Sequence, residues 1–232
     1  KGKMDFVWGT SWGVSTRLIG ALIMSHADDK GLILPPNLAP IQVVMVPIFN
    51  DDNEYQSVIS LFEKLGNKLK KLGITFKIDD RKHHKPGWKF AEYEMKGIPL
   101  RIAIGPRDLE KKSLEIARRD NLEKKILSIN NVEIKIQSIL KEIQKNIFLK
   151  ASNYKKANTH NVKDYEQFKD LIKNNGGFLH AHWDGTSKTE EKIKRETKAT
   201  IRCIPNENKS EPGKCIVTGN PSNQKVVFAK AY

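Results

Sequence analysis

The segment that most constrains the fold is Ile41-Gln42-Val43-Val44-Met45-Val46-Pro47-Ile48. A near-continuous apolar run of this length suits a central strand covered on both faces. Directly after it, Val58, Phe62, Leu65, Leu69 and Leu72 recur at spacings of three and four. That spacing marks one face of a helix over Tyr55 to Leu72, ended by Gly73. Ile74 to Asp79 then alternates as a strand, Lys89 to Met95 forms a short helix behind Pro86-Gly87, and Leu100 to Ile104 alternates again before Gly105-Pro106. Leu114 to Arg118 and Lys125 to Ile129 add two strands. Ile136, Ile139, Leu140, Ile143 and Ile147 mark a long amphipathic helix beginning near Asn131. The order β-α-β-α-β-β-β-α predicts an α/β unit over 41–150 with a mixed five-stranded sheet and right-handed crossovers.

Two further segments flank this unit. Residues 1–40 end in Leu32-Ile33-Leu34-Pro35-Pro36-Asn37-Leu38-Ala39-Pro40, a stiff, extended connector that places a domain boundary there. Before it, Arg17 to His26 reads as a buried strand or helix and Asp28-Asp29-Lys30-Gly31 as a turn. Residues 151–232 form a small α+β unit. In it, Val162 to Lys173 is a helix, Phe178 to Trp183 a strand, Thr189 to Thr197 a charged helix, Thr200 to Pro205 a strand, Asn206 to Lys214 a polar loop and Val226 to Tyr232 a last strand.

The chain of 232 residues carries 41 Lys and Arg against 27 Asp and Glu, a formal net charge of +14. That balance favours a polyanionic partner, nucleic acid first, through counterion release. A lysine-rich surface from a composition also rich in Asn and Ile is the plainer reading of the same charge. No stretch approaches ~18 uninterrupted apolar residues, so no membrane span is expected, and the N-terminus lacks a signal-peptide shape. Two cysteines, Cys203 and Cys215, cannot build a disulfide framework or a four-thiolate zinc site and point to a reducing, cytoplasmic setting.

Gly9-Thr10-Ser11-Trp12-Gly13-Val14-Ser15-Thr16-Arg17 packs small residues, hydroxyls, one Trp and one Arg into a short run. Small residues let a ligand approach the backbone, and an Arg beside hydroxyls can clamp phosphate or carboxylate. The basic stretch Arg81, Lys82, His83, His84 and Lys85 reads as a solvated loop in preference to a phosphate track, and its adjacent histidines do not suit one metal ion.

Several blocks, in order along nearly the whole chain, resemble prolyl-tRNA synthetases of the archaeal and eukaryotic-cytosolic type. Thr10 to Ala21 looks like class II motif 3, and Asp28 to Leu32 with Leu34 to Val44 like the join to the anticodon-binding domain. Pro86-Gly87-Trp88-Lys89-Phe90 and Lys96 to Leu109 look like signatures of that domain. Glu190 to Lys194 and Ala229-Lys230-Ala231-Tyr232 look like the extra C-terminal domain. The resemblance implies that 1–40 is the end of a class II antiparallel catalytic sheet, 41–150 the anticodon-binding domain and 151–232 the C-terminal domain.

It also implies proline–tRNA ligase activity: ATP with Mg2+ activates L-proline to prolyl-adenylate, which is transferred to tRNA(Pro) by a homodimer. Arg17 is the implied catalytic residue, at the ATP site with Ser15 and Thr16, and Trp12 and Gly13 are placed near proline. Arg17's planar, permanently charged guanidinium suits both stacking and phosphate contact. Phe90, Glu94, Arg101, Arg107 and Asp108 are the implied anticodon readers. Arg can bridge the O6/N7 acceptors of the anticodon guanines, a carboxylate can take their donors, and single-stranded bases can stack on Phe90. For Glu94 with Arg101 the plainer reading is a salt bridge between neighbouring elements, and for Arg107-Asp108 it is turn chemistry. The other motifs of the site would lie before Lys1, so the chain alone is expected not to activate proline. The competing reading is a non-catalytic tRNA- or RNA-binding module derived from an anticodon-binding domain, against which the Thr10 to Arg17 motif argues.

The C-terminal domain departs from its relatives. The four cysteines that bind zinc in many members map to Asp184, Thr189, Cys215 and Val217 or Thr218. A single thiolate with hydroxyl neighbours is a poor tetrahedral site, so no structural zinc is expected. In the family the terminal carboxylate, here that of Tyr232, folds back toward the catalytic domain.

Overall fold

The computed structural model describes residues 2–206 and 211–231. Tyr232 and positions 207–210 of the expected polar loop lie outside the described residues. The chain divides into two compact units, residues 1–148 and 149–232.

In the first unit the expected five-stranded mixed sheet is present. Its strands are β1 (Val43–Pro47), β2 (Phe76–Ile78), β3 (Leu100–Ile104), β4 (Ser113–Arg118) and β5 (Lys124–Ser128), in the order β2-β1-β3-β4-β5. β1 pairs in parallel with both β2 and β3, whereas β3-β4 and β4-β5 are antiparallel. The helices are α1 (Arg17–His26), α2 (Asp52–Lys71), α3 (Pro86–Met95), the short α4 (Pro106–Glu110) and α5 (Val132–Ala157), which runs on past residue 148. Asp51 caps α2 by accepting the Glu54 N–H at 2.8 Å, the usual role of a short acidic side chain at a helix start.

All residues of β1 are buried, and their alternation serves two cores. Val43 and Met45 face the main core with Phe62 and Leu69 of α2 and Ile136 and Ile143 of α5. Val44 and Val46 face the opposite side, against Tyr93 and Phe90 of α3. The same period of two sends Leu100, Ile102 and Ile104 of β3 into the main core and therefore turns Arg101 toward the face covered by α3.

The N-terminal segment differs from expectation. Residues 2–15 form neither helix nor strand, and between 27 and 40 the single bridge among the described residues joins Asp28 to Gly31. Among the described residues no end of an antiparallel catalytic sheet is seen. A strand needs a neighbour for its backbone groups, and no described strand lies beside this segment. Arg17–His26 is a helix, one of the two forms expected, but it is not buried: Leu18, Ile19 and Met24 are 61%, 61% and 67% exposed. Residues 31–34 do not form a free connector. Leu32 N–H donates to Met95 O at 3.0 Å and Leu34 N–H to Gly97 O at 3.2 Å, which ties the segment to the end of α3. Gly97 (φ +73°) has no room for a side chain: a Cβ there would lie 2.6 Å from Leu32 Cβ.

In the second unit, β6 (Thr159–Asn161), β7 (Phe178–His182), β8 (Ala199–Cys203) and β11 (Lys225–Lys230) form a sheet in the order β6-β7-β11-β8. β9 (Gly213–Lys214) and β10 (Pro221–Ser222) form a small hairpin. Helices α6 (Tyr165–Asn174) and α7 (Ser187–Thr197) supply Phe168, Ile172 and Ile193 to its core. Phe168 meets Phe228 of β11 edge to face at 5.2 Å.

Candidate nucleic-acid interface

Phe90 and Glu94 stand four residues apart on α3 and so share a helix face. Arg101 rises from β3 beneath that face. Together with Lys30, Arg119 and Lys124 they line a cavity of about 200 Å³. Pockets for whole drug-sized ligands run to ~300–1,000 Å³, so this one suits a single planar group.

Arg101 is the central group. Its guanidinium lies over the Phe90 ring, 3.6 Å from the centroid. Nη2 donates to Glu115 Oε1 at 3.0 Å. Glu115 sits on β4 opposite Ala103, a diagonal neighbour of Arg101 across the strand pair. Nη1 is buried and has no hydrogen-bond partner. Burial pulls the Arg101 pKa below its ordinary value, against the opposing pull of Glu115. An orphaned buried donor costs about 1–3 kcal/mol, and a ligand acceptor reaching it would remove that cost. Glu94, by contrast, is partly exposed and pairs with Lys30, Nζ to Oε1 at 3.4 Å. The salt bridge considered between Glu94 and Arg101 is thus replaced by two separate pairs, Glu94–Lys30 and Arg101–Glu115.

An ion-pair knot fixes α3 to the sheet. Asp79, fully buried after β2, accepts three hydrogen bonds from Arg81, from the backbone N–H at 3.2 Å, Nε at 2.8 Å and Nη2 at 2.7 Å. Arg81 also pairs with Glu92 of α3. Lys89 of α3 is 1% exposed, with Nζ 3.0 Å from Asp79 O and 3.5 Å from Asp79 Oδ1. Burial would raise the Asp79 carboxyl, but the Arg81 hydrogen bonds and the nearby Lys89 charge hold it well below the usual carboxylate range. Of the basic stretch after Asp80, Arg81 is held within the protein, whereas Lys82, His83 and Lys85 are exposed, as expected of a solvated loop. Lys82 pairs with Asp52 at 2.6 Å, and His84 stacks on Trp88 at 3.9 Å.

Arg107 and Asp108 lie apart from the cavity. They belong to α4, beyond the far end of β3 from Arg101. Asp108 Oδ2 accepts the Gly105 N–H at 2.9 Å and closes the first turn of α4, which is the turn chemistry weighed for this pair. The structure thus brings together Phe90, Glu94 and Arg101 and leaves Arg107 and Asp108 outside. In the N-terminal run, Trp12, Gly13, Ser15, Thr16 and Arg17 are all exposed. Lys30 and Arg119 carry no local signal that singles them out. Arg119, 4% exposed, donates to Glu94 O and Gly31 O at 2.9 and 3.1 Å and grips both carboxylate oxygens of Asp28.

In the second unit, Asp184, Thr189 and Thr218, three of the positions expected to correspond to zinc ligands, form a hydrogen-bond knot with Thr186. Asp184 Oδ2 accepts from Thr189 Oγ1 at 2.8 Å and Thr218 Oγ1 at 2.9 Å, and Oδ1 from Thr186 Oγ1 at 2.9 Å. Burial pushes the Asp184 carboxyl up, and these hydroxyls more than reverse it, leaving it below its ordinary value. One carboxylate and three hydroxyls that already satisfy one another do not fit a tetrahedral zinc site. Among the described residues, no group of three or more His, Cys, Asp or Glu side chains could hold a metal ion. Nor is any helix there long and apolar enough to cross a membrane.

Comparison with known proteins gives matches for both units. Residues 42–146 match the family model for the anticodon binding domain, and residues 165–232 match that for the prolyl-tRNA synthetase C-terminal domain. The chain is 56% identical over 231 residues to the proline–tRNA ligase of Porphyromonas gingivalis, a match covering 100% of this chain and 47% of the relative. It is 54% identical over 232 residues to that of Flavobacterium johnsoniae and 56% over 231 residues to that of Parabacteroides distasonis, with the same coverage. The chain spans about half the length of the curated relatives it matches, and these three relatives are bacterial. With a match to an anticodon binding domain followed by one to the C-terminal part of prolyl-tRNA synthetase, the chain is similar to a C-terminal region of the curated proline–tRNA ligases.

Proposed function

We propose that this chain supplies the anticodon-reading part of a proline–tRNA ligase, and that the cavity between α3 and β3 takes an anticodon base. The observation that carries this reading is Arg101, buried against Phe90 with Nη1 unpartnered. The ring and the guanidinium offer stacking surfaces. The free donor suits a guanine O6 or N7, and the Glu94 carboxylate suits guanine N–H donors. Arg107 and Asp108, on α4, would contact a neighbouring nucleotide rather than the same base.

The whole protein would join L-proline to tRNA(Pro). The proline carboxylate attacks the α-phosphate of ATP, pyrophosphate leaves, and the tRNA 3′ hydroxyl then displaces AMP from the adenylate. Such chemistry rests on positioning and charge stabilisation. From this chain, Arg17 would stack on adenine and meet the phosphates, with Ser15 and Thr16 beside it and Trp12 and Gly13 toward proline. The exposed apolar side chains of α1 support a reading in which this segment packs into a catalytic sheet. Mg2+ would accompany ATP. The Gly9–Arg17 run has hydroxyls and a guanidinium but no carboxylate, so no metal step is assigned to it. A homodimer, cytoplasmic location and the archaeal and eukaryotic-cytosolic type complete the proposal. The ordered blocks that resemble that type support it, and the three relatives compared above are bacterial.

The test is binding of this chain to two RNA hairpins, one bearing a proline anticodon and one with its guanines replaced by adenine. A mismatch at a read position weakens binding by ~1–3 kcal/mol. Equal affinity for the two hairpins at the same salt concentration would refute base reading.

A further inference from the structure

We propose that Lys30, which precedes the anticodon-binding match at 42–146, is a specificity-determining residue of the same cavity. It is held there as the counter-ion of Glu94 and passes to an RNA phosphate when a base takes the Glu94 carboxylate. This inference rests on the base-reading role of the cavity proposed above.

The placement of Lys30 is built, not incidental. Asp28 and Gly31 exchange backbone hydrogen bonds at 3.0 Å, and the Lys30 N–H donates to Asp28 Oδ1 at 2.9 Å. The turn is therefore closed by its own Asp. Arg119 then anchors it, gripping the Asp28 carboxylate and the Gly31 carbonyl while also donating to the Glu94 carbonyl. One buried guanidinium thus sets the distance between the turn and the C-terminal end of α3. The consequence is that Lys30 Nζ stands 3.4 Å from Glu94 Oε1 at the cavity rim. Gly31 enforces the same approach, since at φ +129° a Cβ there would collide with the Met95 backbone.

The Lys30 side chain remains 57% exposed. A pair this open contributes little to stability, yet its geometry is fixed by buried groups. In the free protein Lys30 neutralises Glu94. When guanine N–H donors satisfy the carboxylate, the ammonium is released within reach of the backbone that carries the base. Lys30 therefore favours a base that can donate to Glu94, and the released charge contributes one phosphate contact.

The experiment measures hairpin binding as a function of salt for the unaltered chain, Lys30→Ala, Lys30→Arg, Asp28→Ala and the Asp28→Ala/Lys30→Ala double variant. Lys30→Ala is expected to weaken binding about two- to fivefold, the scale of an exposed ion pair. It should also lower the slope of log K against log salt by ~0.7, one phosphate on a single strand. Lys30→Arg should restore both. Asp28→Ala should weaken binding alone but add nothing in the Lys30→Ala background, because its effect runs through Lys30. Unchanged affinity and salt slope in Lys30→Ala, with normal binding by the unaltered chain, overturns the Lys30 inference alone. Fully additive losses in the double variant overturn the positioning by Asp28. Absence of binding by the unaltered chain overturns this inference and the base-reading function together.

Discussion

Replacing Asp79 by Ala removes the carboxylate around which α3 is anchored. Asp79 is fully buried and Lys89 is 1% exposed, so the change strands an ammonium in the interior without its counter-charge. Breaking a buried pair from one side costs about 3–5 kcal/mol. Two features place the loss at the lower end of that range. Lys89 Nζ keeps the backbone carbonyl of residue 79 at 3.0 Å, and Arg81 keeps Glu92. At ~2–4 °C of melting temperature per kcal/mol for a unit of this size, a loss of ~3 kcal/mol appears as a fall of roughly 6–12 °C. Thermal unfolding and urea titration at neutral pH would measure it. The sign of its pH dependence is set by the depressed Asp79 pKa. The carboxylate's contribution is full above the ordinary carboxyl value and is lost only as pH falls through the lower folded value. The gap between the two proteins should therefore close in strong acid. Asp79→Ala/Lys89→Met removes both charges and should recover most of the loss, since an apolar pair of similar volume often replaces a buried ion pair without cost. A loss below ~1 kcal/mol in the single variant, or simple additivity in the double, would refute the reasoning.

The Asp28–Arg119 clamp predicts a second acid effect. The Arg119 hydrogen bond brings the Asp28 pKa down to about 2 from 3.8, so its stabilising contribution is present above the ordinary value and fades as pH falls from about 4 toward 2. Asp28→Asn should flatten that part of the acid unfolding curve, and an unchanged curve would count against the clamp. In the second unit, Asp184→Ala removes the acceptor shared by Thr186, Thr189 and Thr218 and should cost about 1–3 kcal/mol of its stability. Chelator treatment of the unaltered protein should leave its melting temperature in place. One zinc per chain by metal analysis would contradict the hydroxyl knot as the structural element there.

Much of the first unit was legible because its signals are local. The apolar run of β1, the three-and-four spacing of α2 and the alternation of β3 each declare an element within a few residues. Phe90 and Glu94 share a helix face by spacing alone. Short elements carried no such signal: α4, β6, β9 and β10 have at most five residues each, and long-range pairing defines the strands among them. The groups that build the cavity beyond the three expected residues were hidden for the same reason. Arg119 meets Asp28 across 91 positions of sequence, and Lys30 reaches Glu94 only because that clamp exists. α1 misled in the opposite way. Leu18, Ile19 and Met24 read as interior residues, and apolar composition does not say whether a covering surface lies within the described residues.

Arg101 offers the most direct test of the central claim, that the cavity under α3 reads an anticodon base. Arg101→Met keeps the apolar stem against Phe90 and removes the guanidinium. Its affinity should be measured against the hairpin with the proline anticodon and against the adenine-substituted one. The account predicts a loss of ~1–3 kcal/mol on the first and almost none on the second, so that discrimination between them collapses. Retention of full discrimination by a folded Arg101→Met protein would contradict it.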